Sequence, residues 1–245
     1  MTASPELIAE LAPTGRLRAA LNFGNIVLAQ RDAQGQPAGV TVDLARELAR
    51  RLGLEVDFLS YESAGVVADQ AQDGVWDIGF MARDPARATG ISFTAPYVII
   101  EGSYLVPADS PLKTIADVDA AGVRVAVGKG AAYDLFLSRT LKQAEIVRAA
   151  TSADAIDLFV ADKLEAVAGV KQPLIQYAAA HPGWRVIEGR FTAIEQAMAV
   201  PKGRAEAFAY VHAFVEEMKA SGFVADGLAR SQQFDAAVAP PEAMA

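Results

Sequence analysis

Residues 42–59 decide the fold, and they read VDLARELARRLGLEVDFL. In the first eleven residues the apolar side chains recur at the spacing of one face of an α-helix. Gly53 follows, at the position where glycine commonly ends a helix. From residue 54 onward, apolar and acidic side chains alternate, which is the period of a β-strand. The stretch therefore predicts a helix that leads through a tight connection into a strand.

The same alternation continues on both sides of this stretch. Strands are predicted at 17–21, 77–81, 123–127, 146–147 and 166–168, and helices at 65–72, 113–118, 131–141, 152–161, 173–180, 205–219 and 224–230. Strands that alternate with helices predict a parallel sheet covered on both faces. Because the pattern restarts after residue 113, two similar α/β lobes fit the 245 residues better than one sheet. We expect the Ala/Pro-rich tail to be loose.

Composition excludes several classes of function. Thirty acidic against twenty-two basic residues give a net charge of −8, which opposes a nucleic-acid groove as the main partner. No apolar run approaches the roughly 18 residues of a membrane span, so no membrane insertion is expected. The chain has no cysteine and only two histidines, His181 and His212, for which we expect structural roles. No phosphate loop or dinucleotide fingerprint occurs, and we therefore predict neither a metal nor a cofactor.

Six short motifs occur together in a recognisable order. They are GVTVDL (39–44), GVWD (74–77), DPAR (84–87), FTAPY (93–97), VAVG (125–128) with Gly130, and AVPKG (199–203). In this order and spacing the chain resembles the family 3 solute-binding proteins, which are periplasmic receptors for amino acids and related polar solutes. The resemblance extends from about Gly15 to about Gly227. It implies an α/β, two-lobed, type II periplasmic-binding-protein fold with a hinge of two crossing segments.

The resemblance also implies a domain layout and partners. Lobe 1 would comprise residues 1–100 and 196–245, lobe 2 residues 104–190, and the hinge crossings residues 100–104 and 192–197. A small carboxylate-bearing ligand would lie in the cleft between the lobes of a monomer, and an ABC permease would receive it. The family is periplasmic, whereas residues 1–6 show neither the basic nor the apolar segment of a signal peptide, which leaves a cytoplasmic location open.

The motif DPAR supplies the principal candidate ligand residue. Arg87 matches the arginine that grips the ligand carboxylate in amino-acid receptors of the family, and a guanidinium suits that task because it offers two parallel donors. The alternative is a salt-bridging surface arginine, and Arg83 is expected to be solvated. The stretch before Arg87 is about two residues shorter than the family pattern. In the family, this stretch supplies backbone donors and a hydroxyl to the ligand. Ala82 and Asp84 are the residues expected to take their place here.

Two loops provide further candidates. Asn22, Phe23 and Asn25 match the segment that forms a polar or aromatic wall of the cleft in the family, although turn-forming asparagines explain them nearly as well. In lobe 2, a turn before a helix matches the family turn whose amides face the ligand carboxylate, and a helix N-terminus favours an anion. Its candidate residues are Gly130, Ala131, Ala132 and Tyr133.

Val170 marks a departure from the family pattern. Amino-acid receptors usually carry an aspartate there to bind the α-ammonium, and burying an ammonium without a partner costs several kcal/mol. Lys171 is either a second cation for an organic acid or a solvated residue that begins a loop. Glu101 and Glu195, at the two crossings, could replace the lost acid or simply bond to backbone.

Three functions remain open at this point. The first is a solute-binding protein for a small carboxylate-bearing molecule, either amino-acid-like or an organic acid. The second is an enzyme similar to cyclohexadienyl dehydratases, which resemble these receptors and would need Glu101 or Glu195 as general acid. The third is a cytosolic sensor or scavenger without a transporter.

Overall fold

A computed structural model of the protein describes residues 4–242. Residues 1–3, which begin the stretch considered for a signal peptide, lie outside the described residues. The same holds for residues 243–245, at the end of the Ala/Pro-rich tail. The chain divides into two compact units, one comprising Met1–Ile99 and Glu195–Ala245 and the other Ile100–Ile194. The chain therefore passes from unit 1 to unit 2 and back once.

The helices follow the predicted order, with one addition at the start. The α-helices of the described part are α1 (Pro5–Leu11), α2 (Val40–Leu52), α3 (Ala64–Asp69), α4 (Ala132–Thr140), α5 (Ser152–Ala161), α6 (Lys171–Ala180), α7 (Ala205–Ala220) and α8 (Phe223–Arg230). Short 3₁₀ turns lie at Arg87–Thr89 and Ile115–Val118. Helix α2 ends where the sequence predicts, because the Gly53 N–H bonds to the Ala49 and Arg50 carbonyls.

The strands are β1 (Leu17–Asn22), β2 (Gln30–Arg31), β3 (Pro37–Ala38), β4 (Val56–Tyr61), β5 (Ile78–Ala82), β6 (Ile91–Pro107), β7 (Arg124–Gly128), β8 (Glu145–Ala149), β9 (Ala166–Val170), β10 (Trp184–Val186), β11 (Thr192–Pro201) and β12 (Ala237–Val238). Strands β6 and β11 are the segments on which the chain passes between the units.

Unit 1 is built on strands in the order β4-β1-β5-β11-β6, and β6 continues into unit 2. Strands β4 and β5 run parallel to β1, and β11 runs antiparallel to β5. One face of the sheet is covered by a cluster in which the fully buried Trp76 packs among Val67, Met81 and Ile91. The parallel strands fix which edge carries the loops that follow them.

Unit 2 contains a sheet with the order β6-β9-β7-β8. Along β7, Val125 and Val127 pack into one cluster while Ala126 packs into another with Phe159 and Val167. Successive side chains of a strand point to opposite faces, so this sheet is covered on both sides. Strands β7, β8 and β9 are mutually parallel.

Three expectations require correction. The sheets are not purely parallel, because β6 pairs antiparallel with β9 and β11 with β5: these long strands carry the chain between the units instead of closing a crossover. The tail is not entirely loose, since β12 pairs with β6 and the Lys219 ammonium donates to the Pro240 carbonyl. Lys171 does not begin a loop but is the first residue of α6.

A buried ion cluster fixes the amino ends of the unit 1 elements. The Asp77 carboxylate is 0% exposed and accepts hydrogen bonds from the Arg18 guanidinium at 2.8 and 2.9 Å and from Arg204 at 3.0 Å. Arg18 lies on β1, Asp77 immediately precedes β5, and Arg204 immediately precedes α7. One carboxylate therefore connects two strands and a helix. In residues 4–242, no helix is both long and apolar enough to cross a membrane.

Candidate functional site

The candidate residues of unit 1 lie at one edge of its sheet. Strands β1, β4 and β5 are parallel, so their carboxyl ends at Asn22, Tyr61 and Ala82 lie at the same edge. In open α/β sheets the loops after these ends are the usual place for ligands. Sequence positions far apart, such as Asn22 and Arg87, thereby share one edge.

The loop after β1 is shaped by its asparagines and a glycine. The Asn22 Oδ1 accepts a hydrogen bond from the Gly24 N–H at 3.1 Å. Gly24 is required there because a Cβ atom would lie 2.3 Å from the Glu62 carbonyl oxygen. The Asn25 Oδ1 is shielded from solvent and has no hydrogen-bond partner among the described residues. Asn22 therefore acts in the turn, whereas Asn25 presents an acceptor.

The aromatic residue of the same loop packs instead of opening to solvent. Phe23 is buried, and the Arg31 guanidinium lies 4.2 Å from the centre of its ring. This cation–π contact attaches the loop to the short β2–β3 hairpin.

Arg87 is held by the turn that follows β5. The Asp84 carbonyl accepts hydrogen bonds from the N–H groups of Arg87 and Ala88, both at 3.1 Å, and the Asp84 carboxylate accepts one from Ala86 at 2.9 Å. The Arg87 Nη1 donates to the Ala82 carbonyl at 2.9 Å. Ala82, Asp84 and Arg87 therefore form one hydrogen-bonded group.

The Arg87 guanidinium is charged although the residue is only 6% exposed. Burial lowers its pKa to about 10, opposed by the negative charges of Asp84 and Asp69. A pKa in that range keeps the guanidinium protonated at neutral pH. Because the surroundings are poorly solvated, a ligand anion that reached it would interact strongly.

Arg83 and Glu195 form a separate, more exposed group. The Arg83 Nη1 lies 2.8 Å from the Glu242 carboxylate and 3.5 Å from that of Glu195. The Arg83 N–H also donates to the Glu195 carbonyl at 2.9 Å. Arg83 is thus more exposed than Arg87 and pairs with the acidic side chains of Glu242 and Glu195.

The candidates of unit 2 lie at the corresponding edge of the second sheet. Strands β7 and β9 are parallel and end at Gly128 and Val170, so the turn before α4 and the start of α6 share an edge. Strand β6 runs antiparallel to β9 with Gly102 opposite Val170. Glu101 therefore lies at this same carboxyl edge.

In the turn before α4, a backbone amide donates a hydrogen bond to a carboxylate of the protein itself. Gly130 has φ +72°, which favours glycine, and its N–H donates to the Asp134 carboxylate at 2.8 Å. Asp134 is buried and also accepts from the Arg148 Nε at 3.0 Å. The Gly130 amide is therefore engaged within unit 2. Asp134 was not among the residues predicted from the sequence, although an acidic residue in the first turn of a helix is a common signal.

The remaining candidates of this turn lie at the start of α4. Ala131 is the N-cap residue of α4 and makes no side-chain hydrogen bond to the helix. Ala132 and Tyr133 lie in the first turn, where the N–H groups have no partner within the helix. The Tyr133 hydroxyl donates to the Ser152 Oγ at 2.7 Å. Tyr133 is thus directed into the interior of unit 2, and burial raises the pKa of its hydroxyl.

Glu101 and Lys171, which the sequence suggested separately, contact each other. The Lys171 Nζ lies 2.9 Å from the Glu101 Oε2, and the Arg190 Nη1 lies 2.9 Å from the Glu101 Oε1. The pKa of Glu101 is lowered, chiefly by the hydrogen bond from Lys171. Val170, immediately before Lys171, is half-buried and presents only methyl groups. Arg190 was not among the residues predicted from the sequence, where its signal is a basic residue just before the return crossing.

The histidines lie apart from both groups. His181 stacks on Tyr177 at the end of α6, and the buried His212 of α7 accepts a hydrogen bond from the Ala95 N–H at 3.4 Å. Within residues 4–242, no group of three or more histidine or acidic side chains could hold a metal ion.

Comparison with known proteins agrees with this arrangement of elements and edges. Residues 25–230 match the profile of the bacterial extracellular solute-binding proteins, family 3. This chain belongs to that family. The resemblance inferred from the six motifs is therefore confirmed for this family 3 solute-binding protein.

Solved structures share the fold of this family 3 solute-binding protein over nearly its whole length. A mutant of ArgBP from T. maritima superposes with a TM-score of 0.79 at 23% identity, covering 92% of this chain and 99% of that one. The solute receptor for L-cysteine of Neisseria gonorrhoeae gives 0.80 at 21% identity, covering 93% of each chain. These likenesses confirm the expected fold class, an α/β type II periplasmic-binding-protein fold.

A third similar structure is an ancestral protein. The ancestral amino acid-binding protein AncCDT-1, described as a precursor of cyclohexadienyl dehydratase, gives a TM-score of 0.75 at 26% identity, covering 91% of this chain and 97% of that one. The similar structures thus include proteins described by what they bind and one described as the precursor of an enzyme.

Proposed function

We propose that this family 3 solute-binding protein captures a small carboxylate-bearing molecule, amino-acid-like or an organic acid, for ABC-type import. The observation that carries the proposal is Arg87, a charged guanidinium that is almost fully buried at the carboxyl edge of the unit 1 sheet. Its planar pair of donors matches a carboxylate.

The second part of the proposal concerns the class of acid. Val170 offers no charge to a ligand ammonium, and both oxygens of Glu101 are already bonded to Lys171 and Arg190. We therefore propose that acids without an α-ammonium are preferred to α-amino acids. In this proposal the ligand is enclosed when the two predicted lobes close. Lobe 1 comprises residues 1–100 and 196–245, lobe 2 residues 104–190, and the hinge residues 100–104 and 192–197.

The proposed setting follows the family description. Members are extracellular, so we propose a location outside the cytoplasm and delivery of the ligand by a monomer to an ABC permease. Co-purification with the permease encoded nearest to this gene would test that partner. The cytosolic sensor requires the opposite location, and fractionation of cells with an intact gene separates the two.

A thermal-shift screen tests the ligand class directly. Protein unfolded and refolded to remove any bound ligand is heated with single amino acids and organic acids, because a ligand of the native state raises the melting temperature by mass action. We expect stabilisation by one or more organic acids and its loss on amidation of the carboxylate. Stabilisation only by ligands without a carboxylate would overturn the proposal.

A dehydratase is the second candidate, and the likeness to AncCDT-1 favours testing it. A general acid must carry a proton at the working pH, and the lowered pKa of Glu101 opposes that role. Glu195 is the other candidate acid. Incubation with prephenate distinguishes the two functions, since the enzyme would release water and carbon dioxide whereas a receptor would leave the compound unchanged.

A further inference from the structure

Glu101, Lys171 and Arg190 form a charged cluster at the carboxyl edge of unit 2 that contains more positive than negative charge. The two cations lie on separate oxygens of one carboxylate, each at 2.9 Å. The Glu101 side chain is 32% exposed and that of Lys171 26% exposed, so the pair is half-buried. Two cations on one carboxylate leave one net positive charge in this cluster.

We infer that Lys171 determines ligand specificity by taking, on Glu101, the place that a ligand ammonium would otherwise occupy. This inference rests on the proposed function, because it concerns the same ligand. A carboxylate accepts strong charge-assisted bonds at each oxygen, and here both oxygens are engaged. A ligand ammonium would have to displace one cation of the protein or lie next to an excess of positive charge. An acid without an ammonium meets neither obstacle.

The position of Lys171 in its helix supports the inference. Lys171 is the first residue of the ten-residue helix α6, and Val170 before it provides no side-chain cap. The amino end of a helix carries partial positive charge, so a lysine there is locally unfavourable. The bond to Glu101 compensates this cost. Residues that break a local rule in this way are often placed by function.

An ordinary ion pair of the same unit provides the contrast. Arg124 and Glu165 pair at 2.9 Å with side chains 39% and 36% exposed. They lie at the amino ends of β7 and β9, which is the opposite edge of the sheet, and they balance in charge. If the Lys171 pair were merely a surface ion pair, its removal would affect ligand choice no more than removal of this one.

Calorimetry on matched ligand pairs tests the inference. The probes are 2-oxoglutarate with L-glutamate and 4-methyl-2-oxopentanoate with L-leucine, which differ only in an oxo group or an ammonium at one carbon. The proteins are the wild type, Lys171→Met, Lys171→Arg and the control Arg124→Met. The quantity compared is the ratio of the two dissociation constants within each pair.

We expect Lys171→Met to shift this ratio toward the amino acid by roughly tenfold or more, since Glu101 then has an oxygen to offer an ammonium. Lys171→Arg, which keeps the charge, and Arg124→Met should retain the wild-type ratio. Should Lys171→Met not fold, Glu101→Gln provides the second measurement: without the carboxylate, the ratio should move toward the 2-oxo acid.

Two different failures can be told apart. Tight binding with the same ratio in Lys171→Met and Arg124→Met would overturn the inference and leave the proposed function standing. Binding of no carboxylate by the wild type, in the thermal-shift screen or by calorimetry, would overturn the proposed function and the inference with it.

Discussion

At the scale of single residues, Arg87 carries the strongest expectation. Its guanidinium is buried, bonded to the Ala82 carbonyl and held by the Asp84 turn, so it is already in place before a ligand arrives. We predict that Arg87→Ala abolishes binding of the carboxylate ligand, because losing a buried charge-assisted pair costs about 2 to 5 kcal/mol. Calorimetry with the best ligand of the thermal-shift screen measures the loss.

Arg83→Ala is the matched control for Arg87. It removes an arginine four positions earlier that is bonded to Glu242 and Glu195. We expect its affinity to equal that of the wild type and both variants to keep the native circular dichroism spectrum. Undiminished affinity in Arg87→Ala would show that the anion binds elsewhere.

Val170 lends itself to a charge substitution. We predict that Val170→Asp shifts preference toward α-amino acids, since a carboxylate at the end of β9 supplies the missing partner for an ammonium. The same 2-oxo acid and amino acid pairs measure the shift by calorimetry.

The N-cap position of Val170 requires a separate control. Aspartate there would also cap α6, because its oxygen can accept from amides of the first turn. Val170→Asn caps the helix without the charge, so we expect a similar gain in melting temperature but no change in ligand preference. Equal shifts in both variants, or a wild type that already prefers the amino acid at submicromolar affinity, would contradict the role given to Val170.

At the scale of elements, the Asp77 carboxylate connects β1, β5 and α7. We predict that Asp77→Asn lowers the free energy of unfolding by about 3 to 5 kcal/mol, because Arg18 and Arg204 then remain as charges beside a buried neutral side chain. Urea denaturation followed by circular dichroism measures the change.

Asp57→Asn is the control for Asp77. The Asp57 carboxylate also pairs with an arginine, Arg16, at 2.8 Å, but both side chains are 47% exposed. We expect a change close to the error of the measurement, since solvent screens an exposed pair. If Asp57→Asn lowered the free energy of unfolding as much as Asp77→Asn, burial would not be the reason for the importance of the Asp77 carboxylate.

At the scale of the whole molecule, the two units raise the question of closure. We predict that saturating ligand lowers the radius of gyration, since the proposed closing of the lobes about residues 100–104 and 192–197 would make the molecule more compact. Small-angle scattering of ligand-free and ligand-saturated protein measures the change, with Arg87→Ala expected to show none. An unchanged radius in a wild type that demonstrably binds would contradict closure.

The helices and strands of the alternating α/β pattern, and their order, could be predicted from the sequence. The long strands β6 and β11 could not, since only crossings at 100–104 and 192–197 were expected there. Helical spacing, the glycine stop and strand alternation in residues 42–59 are local properties of a few consecutive side chains, and the structure confirms helix α2 and strand β4 there. The family also followed from the sequence, because its motifs are short and local. Helix α1 was missed: it is only Pro5–Leu11, and its Leu7 and Leu11 are buried by tertiary packing.

Which charged side chains contact each other could be seen only in the folded protein. Glu101 was proposed as an acid and Lys171 as a cation, yet the two lie 70 positions apart in sequence and bond to each other. In the same way Gly130 was expected to offer an amide, which Asp134 already holds. The physical reason is that periodicity encodes the face on which a side chain lies, whereas an ion pair depends on distances across strands that only the folded sheet brings together.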